Sequence, residues 1–283
     1  MAETTEVQIF IEANSQFEGI RSIWKWNPNL GSSGNWQVYP QTDNYPLLNE
    51  IIPGEGYWIQ TRENDEFTEG LVAYYPFNGN ANDESGNRNH GIVQGASLTT
   101  DITHTTNRAY NFDGEDFILV PDAPDLHFTQ NDSFTVSFWI RMKGNTSGFL
   151  FAKYRTDSTP TALSFFSQFV SSKFLFILDS AHVDQQFAQT RSITDIEGEW
   201  HHIVTTYENK IMKIYLDGEI GGSNTNTLDS GDTFPAGPLI IGALSYEGTI
   251  GSFLNAALDQ FRLYNRALSG EEIQALYEFE NAQ

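Results

Sequence analysis

Residues 134–141, FTVSFWIR, place Phe134, Val136, Phe138 and Ile140 at every second position. Alternation with a period of two belongs to a β-strand with one face turned to a core, and a helix cannot sustain it. The same pattern recurs along the chain in short runs: HHIVTTY (201–207), KIMKIYL (210–216), DFILV (116–120), FLFIL (174–178), PLIIG (238–242) and LDQFRLY (258–264). Between the runs stand turn formers, among them Asp113-Gly114 and Asp217-Gly218. Glu208-Asn209 is read as a further hairpin pair. Many short strands with polar punctuation predict an all-β fold, a two-sheet antiparallel sandwich. A single helix is predicted, at the end of the chain. Ser269 and Glu272 have the spacing of a capping box, and Ile273, Leu276, Tyr277 and Glu280 follow at intervals of three and four.

A charged stretch at 62–69, RENDEFTE, marks a boundary. It separates a small Trp-rich β unit (1–66, with Trp24, Trp26, Trp36 and Trp58) from a larger domain (67–283) that LVAYYPF (71–77) opens. With 37 acidic and 15 basic residues the formal charge is −22. Such a chain is repelled by nucleic acid and by anionic membranes, and its acidity suits divalent cations or simply solubility in a salty medium. There is no cysteine, so disulfides and thiolate chemistry are excluded. No apolar run approaches the roughly 18 residues needed to span a bilayer. The opening MAETTE lacks the basic and apolar regions of a signal peptide, and the expectation is that a natural leader was removed.

Six segments in order resemble a known family. They are LVAYYPFNGNANDESGNRNHG, AYNFDGEDFILVP, FTVSFWIR, EWHHIVTTYENKIMKIYLDGE, PLIIG and LDQFRLYNRALSGEEIQALY. From Gly70 to Glu280 the chain resembles the laminin-G-like, concanavalin A-like jelly rolls of bacterial secreted proteins. The resemblance implies two stacked antiparallel sheets, chain ends close together, an extracellular location, and glycan recognition or adhesion within a larger surface or secreted protein. The N-terminal stretch is similar to small Trp-rich modules of bacterial surface proteins, without their usual Gly-Trp-Asn strand.

Residues 78–91, NGNANDESGNRNHG, gather five Asn, three Gly, an Asp and a Glu. Hard oxygens at this density are what Ca²⁺ requires. The spacing is not that of an EF-hand, because Asp83 stands where glycine belongs and Asn89 where glutamate belongs. The resemblance implies a structural calcium between this loop and Asp259 on the last strand. With the density of oxygens it makes Asp83 the expected main loop carboxylate, and Asn87 and Asn89 further contributors by side chain or backbone carbonyl. The alternative is a self-bonded turn cluster in which Asp83 caps local N–H groups without metal.

The same fold carries glycan-cleaving enzymes. The nearest counterpart of their Glu-x-Asp-x-Glu strand is Asp195-Ile-Glu197-Gly-Glu199, which has the spacing in the wrong order and is expected in a loop. His201 and His202 adjoin in a strand and point to opposite faces, so they cannot chelate one ion. His90 and His127 sit among turn residues and read as loop hydrogen-bonders. No catalytic residue is therefore assigned. With six Trp, twelve Tyr and 21 Phe, most aromatics must fill the core. Trp139, Tyr154, Phe169 and Tyr246 are the candidates for a sugar-binding surface.

Overall fold

The computed structural model describes residues 67–129, 131–144, 147–153, 163–180, 183–193, 197–225, 237–246 and 249–282, with five short strands of the first 66 residues. In those five strands and at 163–164, 179–180, 183–185 and 245–246 it describes the backbone alone. The chain divides into two compact units, Met1–Thr68 and Glu69–Gln283.

In the first unit β1 (Thr5–Glu6) pairs with β4 (Glu50–Ile51). A three-stranded antiparallel sheet has β2 (Ile20–Asn27) between β3 (Asn35–Tyr39) and β5 (Trp58–Thr61). Its register sets Trp26 opposite Trp36 and Trp24 opposite Trp58.

The second unit is a jelly-roll sandwich of two antiparallel sheets. In chain order its first strands are β6 (Leu71–Tyr75), β7 (Ile92–Gln94), β8 (Ser97–Thr99), β9 (Ala109–Asp113), β10 (Phe117–Val120), β11 (Phe134–Met142) and β12 (Gly148–Lys153). There follow β13 (Leu163–Val170), β14 (Lys173–Ser180), β15 (Val183–Gln189), β16 (Trp200–Glu208), β17 (Ile211–Leu216) and β18 (Glu219–Thr225). The last are β19 (Leu239–Ile241), β20 (Leu244–Tyr246), β21 (Thr249–Gly251) and β22 (Asn255–Tyr264), then helix α1 (Gly270–Asn281). One sheet has the order β15-β14-β13-β12-β19-β10-β7, and the other β18-β17-β16-β11-β22-β9-β8 with β6 also on β22.

The alternating residues meet between the sheets. Phe134, Val136, Phe138 and Ile140 of β11 are wholly buried in one core cluster with Phe151, Phe165, Phe169, Phe174 and Phe176 of the facing sheet. Rings from the two sheets interleave, with Phe134 4.7 Å from Phe165 and Phe138 5.9 Å from Phe151. Burying each such ring contributes about 1.5–3 kcal/mol. The β16–β17 turn falls one residue later than the sequence pattern places it, at Asn209-Lys210 (φ 49° and 64°). A two-residue hairpin of this hand needs both central residues left-handed, and Glu208 instead pairs with Ile211. The capping box forms as expected: Glu272 N donates to Ser269 Oγ at 3.2 Å, and Ser269 N to Glu272 Oε2 at 2.7 Å.

Neither side of the sandwich is left open. On one side the edge strands β7 and β8 follow each other through the turn at Gly95, which carries the chain from sheet to sheet. On the other side the edge strands β15 and β18 meet. Asn224 Nδ2 donates to the Phe187 carbonyl at 2.9 Å, and a Cβ at Gly222 would collide with the Gln189 carbonyl oxygen. Glycine lets the two backbones approach there.

Candidate functional site

The polar loop at 78–91 closes onto the first strand of the sandwich through Asp83. Its Oδ1 accepts from Tyr74 N and Ser85 N, both at 2.9 Å. Its Oδ2 accepts from Ser85 Oγ at 2.9 Å and Asn89 N at 2.8 Å. A carboxylate has about four lone-pair sites, so all four are taken by protein donors. Asn87 and Asn89 turn their amide NH₂ groups toward backbone carbonyls, Asn87 to Leu71 and Val72 and Asn89 to Val72. His90 Nδ1 accepts from Asp83 N at 3.0 Å, a loop hydrogen-bonder as expected. These bonds make a turn cluster fastened to β6. They leave Asp83 no lone pair for an ion, and Asn87 and Asn89 present N–H donors to the loop. Asp83 does not fit the role of main calcium carboxylate expected of it, and the side-chain NH₂ groups of Asn87 and Asn89 are committed to β6.

Asp259 belongs to a different set. It lies on β22 with no exposed surface, and its carboxylate accepts from Gln260 N at 2.8 Å and Ile102 N at 3.4 Å. Burial, with the neighbouring charges of Asp101 and Glu280, pushes its carboxyl up to about 8. Among the described residues no Lys or Arg is ion-paired with Asp259, and it shares no hydrogen-bond partner with Asp83. Asp101 beside it is also buried, its Oδ1 taken by Thr103 and Thr105. Among the described residues no three His, Asp or Glu side chains gather as a metal cage.

Two of the four sugar-facing candidates are corrected. Trp139 does face away from Phe138, but it is 2% exposed, because α1 packs on that side of the sheet. Its ring packs against both His202 (5.2 Å) and Tyr277 (5.6 Å), which also contact each other at 6.1 Å, and its Nε1 donates to Glu280 Oε2 at 2.7 Å. Phe169 is a core ring against Phe174, with no exposed surface. Tyr154 and the side chain of Tyr246 lie outside the described residues.

Beneath α1 lies a buried ionic cluster that the sequence reading did not find. Arg262 pairs with Glu280 Oε1, and its guanidinium lies 4.1 Å from the Tyr74 ring centroid. His202 Nε2 is 2.8 Å from Ser137 Oγ and 3.7 Å from Glu280 Oε2. Burial, then the Arg262 charge, draws the His202 pKa down to about 3, so the ring is neutral. Burial pushes the Glu280 carboxyl up, against the pull of Arg262. The visible signal was Glu280 itself, a carboxylate at the helical interval of an otherwise apolar face.

The carboxylate triplet is not a cleft. Glu197 and Glu199 are exposed, Gly198 has φ 86°, and Asp195 lies outside the described residues. His201 is 2.9 Å from Asp217 by its Nδ1, and His202 lies on the other face opposite Trp139. His127 bonds Asp122 on a loop at 2.9 Å.

A family model described as the concanavalin A-like lectin/glucanases superfamily matches residues 112–274. Over 267 residues the chain is 24% identical to Paraclostridial mosquitocidal protein 1 of Paraclostridium bifermentans, an alignment of 89% of this chain and 20% of that protein. The chain thus spans about a fifth of the length of that relative. The crystal structure of that protein's binding domain superposes with a TM-score of 0.60 at 20% identity, covering 74% of this chain and 52% of that one. Domain 4 of AbnA, a GH43 extracellular arabinanase of Geobacillus stearothermophilus, solved with arabinotriose, gives 0.55 at 18% identity, covering 73% and 98%. The ligand-binding domain of botulinum neurotoxin serotype D, solved with N-acetylneuraminic acid, gives 0.59 at 16%, covering 76% and 52%. At these identities the likeness is one of fold.

Proposed function

Because the chain belongs to the concanavalin A-like lectin/glucanase superfamily, we propose that it is a non-catalytic module for carbohydrate recognition or adhesion. It works outside the cell as part of a larger secreted or surface protein. The observation that carries this reading is the match to the arabinanase domain, nearly all of which is covered and which was solved with an oligosaccharide bound. The neurotoxin domain solved with a sialic acid supports the same class of ligand. The solvated positions of Glu197 and Glu199 argue against hydrolysis, which needs two carboxyl groups held about 5–10 Å apart across a bound sugar.

A glycan array tests the binding reading, and a null array would overturn it. Hydrolysis has its own assay: polysaccharide incubated with the protein should release no reducing ends. Release that Glu197→Gln abolishes would make the chain an enzyme.

Calcium stays within the proposal at Asp259, with Asp101, whose charge acts on it, as the second carboxylate. What supports it is a fully buried acid with two backbone donors and no basic counter-ion among the described residues, an arrangement whose charge a divalent cation would balance. Bound calcium would staple the last strand to the 101–105 loop and do no chemistry. Chelation should then lower the melting temperature of the parent and leave Asp259→Asn unmoved. A parent indifferent to chelator removes calcium from the proposal.

A further inference from the structure

We infer that the groove between the β16–β17 hairpin and the first turn of α1 is a subsite for a neutral sugar residue. The inference rests on the carbohydrate-binding reading above and gives it a place. The groove has a volume of about 440 Å³, within the roughly 300–1,000 Å³ usual for small-ligand sites. It lies on the outer face of its sheet, away from the core. Thr206, Glu208, Ile211 and Lys213 share the wall, since Thr206 pairs with Lys213 and Glu208 with Ile211 across the hairpin. Leu268 and Gly270 line the opposite side.

Thr206 is the observation that points to a ligand. It is only 4% exposed, yet among the described residues no hydrogen bond engages its hydroxyl. The residue is otherwise enclosed, and its hydroxyl oxygen is not among the fully buried unpartnered atoms, so what surface it has opens on the groove it lines, free to bond whatever enters. Around it the donors and acceptors alternate. The Lys213 ammonium and the Glu208 carboxylate are in no ion pair among the described residues. The Gly270 and Glu271 amides are first-turn N–H groups without an intrahelical acceptor. A Cβ at Gly270 would meet nothing within 4 Å, so the mouth is open there. Ile211, 43% exposed, and Leu268 offer apolar surface beside these groups.

A sugar ring answers this set. Its hydroxyls donate to Glu208 and accept from Lys213, Thr206 and the helix amides, while a C–H face lies on Ile211. An anionic sugar suits it less well, because Glu208 and Glu272 line the same groove and the chain carries a formal −22.

The test is a glycan array run with the full chain and with Thr206→Val and Lys213→Ala, followed by titration with arabinotriose and with N-acetylneuraminic acid as free ligands. Thr206→Val keeps the shape and removes the hydroxyl. It should leave the melting temperature unchanged or raised while weakening neutral-glycan binding at least fivefold. Lys213→Ala should weaken it similarly, and the Thr206, Lys213 and Gly270 amide resonances should shift as arabinotriose is added to the parent. Parent-like binding in both variants would overturn the groove and leave the carbohydrate reading standing. So would N-acetylneuraminic acid preferred over arabinotriose at these three amides. A parent that binds no glycan overturns the carbohydrate reading, and the groove falls with it.

Discussion

Replacing Asp83 by Asn changes one oxygen of a carboxylate whose two oxygens hold four donors. The best the amide can do is keep Oδ1 in place for Tyr74 N and Ser85 N. Its NH₂ then occupies the Oδ2 position and faces Asn89 N, donor against donor. Ser85 Oγ can escape, because the Val72 carbonyl lies 3.1 Å away. The buried Asn89 N–H cannot, and stranding it costs about 1–3 kcal/mol, with a further loss as the other bonds give up their charge assistance. The sum is about 3 kcal/mol. For a unit of this size that is a fall in Tm of roughly 6–12 °C. Scanning calorimetry of parent and variant, each in calcium and in EDTA, measures it. The fall should be equal in both buffers, since every partner of Asp83 is a protein group. A fall seen in calcium and absent in EDTA would refute the reasoning and return Asp83 to the role of a metal ligand.

Three further outcomes are expected. In EDTA, Asp259 has a folded pKa near 8 against about 3.9 unfolded, so its contribution to stability is complete below pH 4 and lost as pH rises through 8; urea unfolding at pH 5 and pH 9 should show that loss in the parent and its absence in Asp259→Asn. Glu280→Gln leaves the buried Arg262 charge without its partner and should cost about 3–5 kcal/mol by urea denaturation, part of which Arg262→Met in the same chain recovers. Gly222→Ala forces β15 and β18 apart and should destabilise the fold, with hydrogen exchange rising first at the amides along that seam.

The sandwich was legible because its signal is local. Every second residue of FTVSFWIR is buried in the core, and period two reports that directly. The capping box is a spacing of three residues and was read correctly for the same reason. Trp139 shows where this kind of reading ends. Alternation put it on the face away from Phe138, which is right, but whether that face meets water depends on α1, more than 130 residues later. The helix offered the missing half, since Ile273 and Leu276 needed an apolar surface to cover. The opening loop failed differently. Its oxygens are visible in the sequence, whereas the N–H groups that occupy them belong to the backbone of Tyr74, Ser85 and Asn89, which every sequence has. Thr206 was hidden for the same reason, being one Thr of a strand until the fold shows its hydroxyl without a partner.

The pairing of β6 with β22 has a mechanical consequence. Leu71, where the chain enters the sandwich, stands opposite Tyr264, where it leaves the last strand, and Asn265 N donates to the Gly70 carbonyl at 2.8 Å. Tension applied through the two ends of this unit therefore does not shear the two strands along their length. It first peels α1 from the sheet, loading the Arg262–Glu280 pair, and then opens the β6–β22 bonds one after another from the Gly70 end. A tether built this way yields at low force and in steps, lengthening before its core is disturbed.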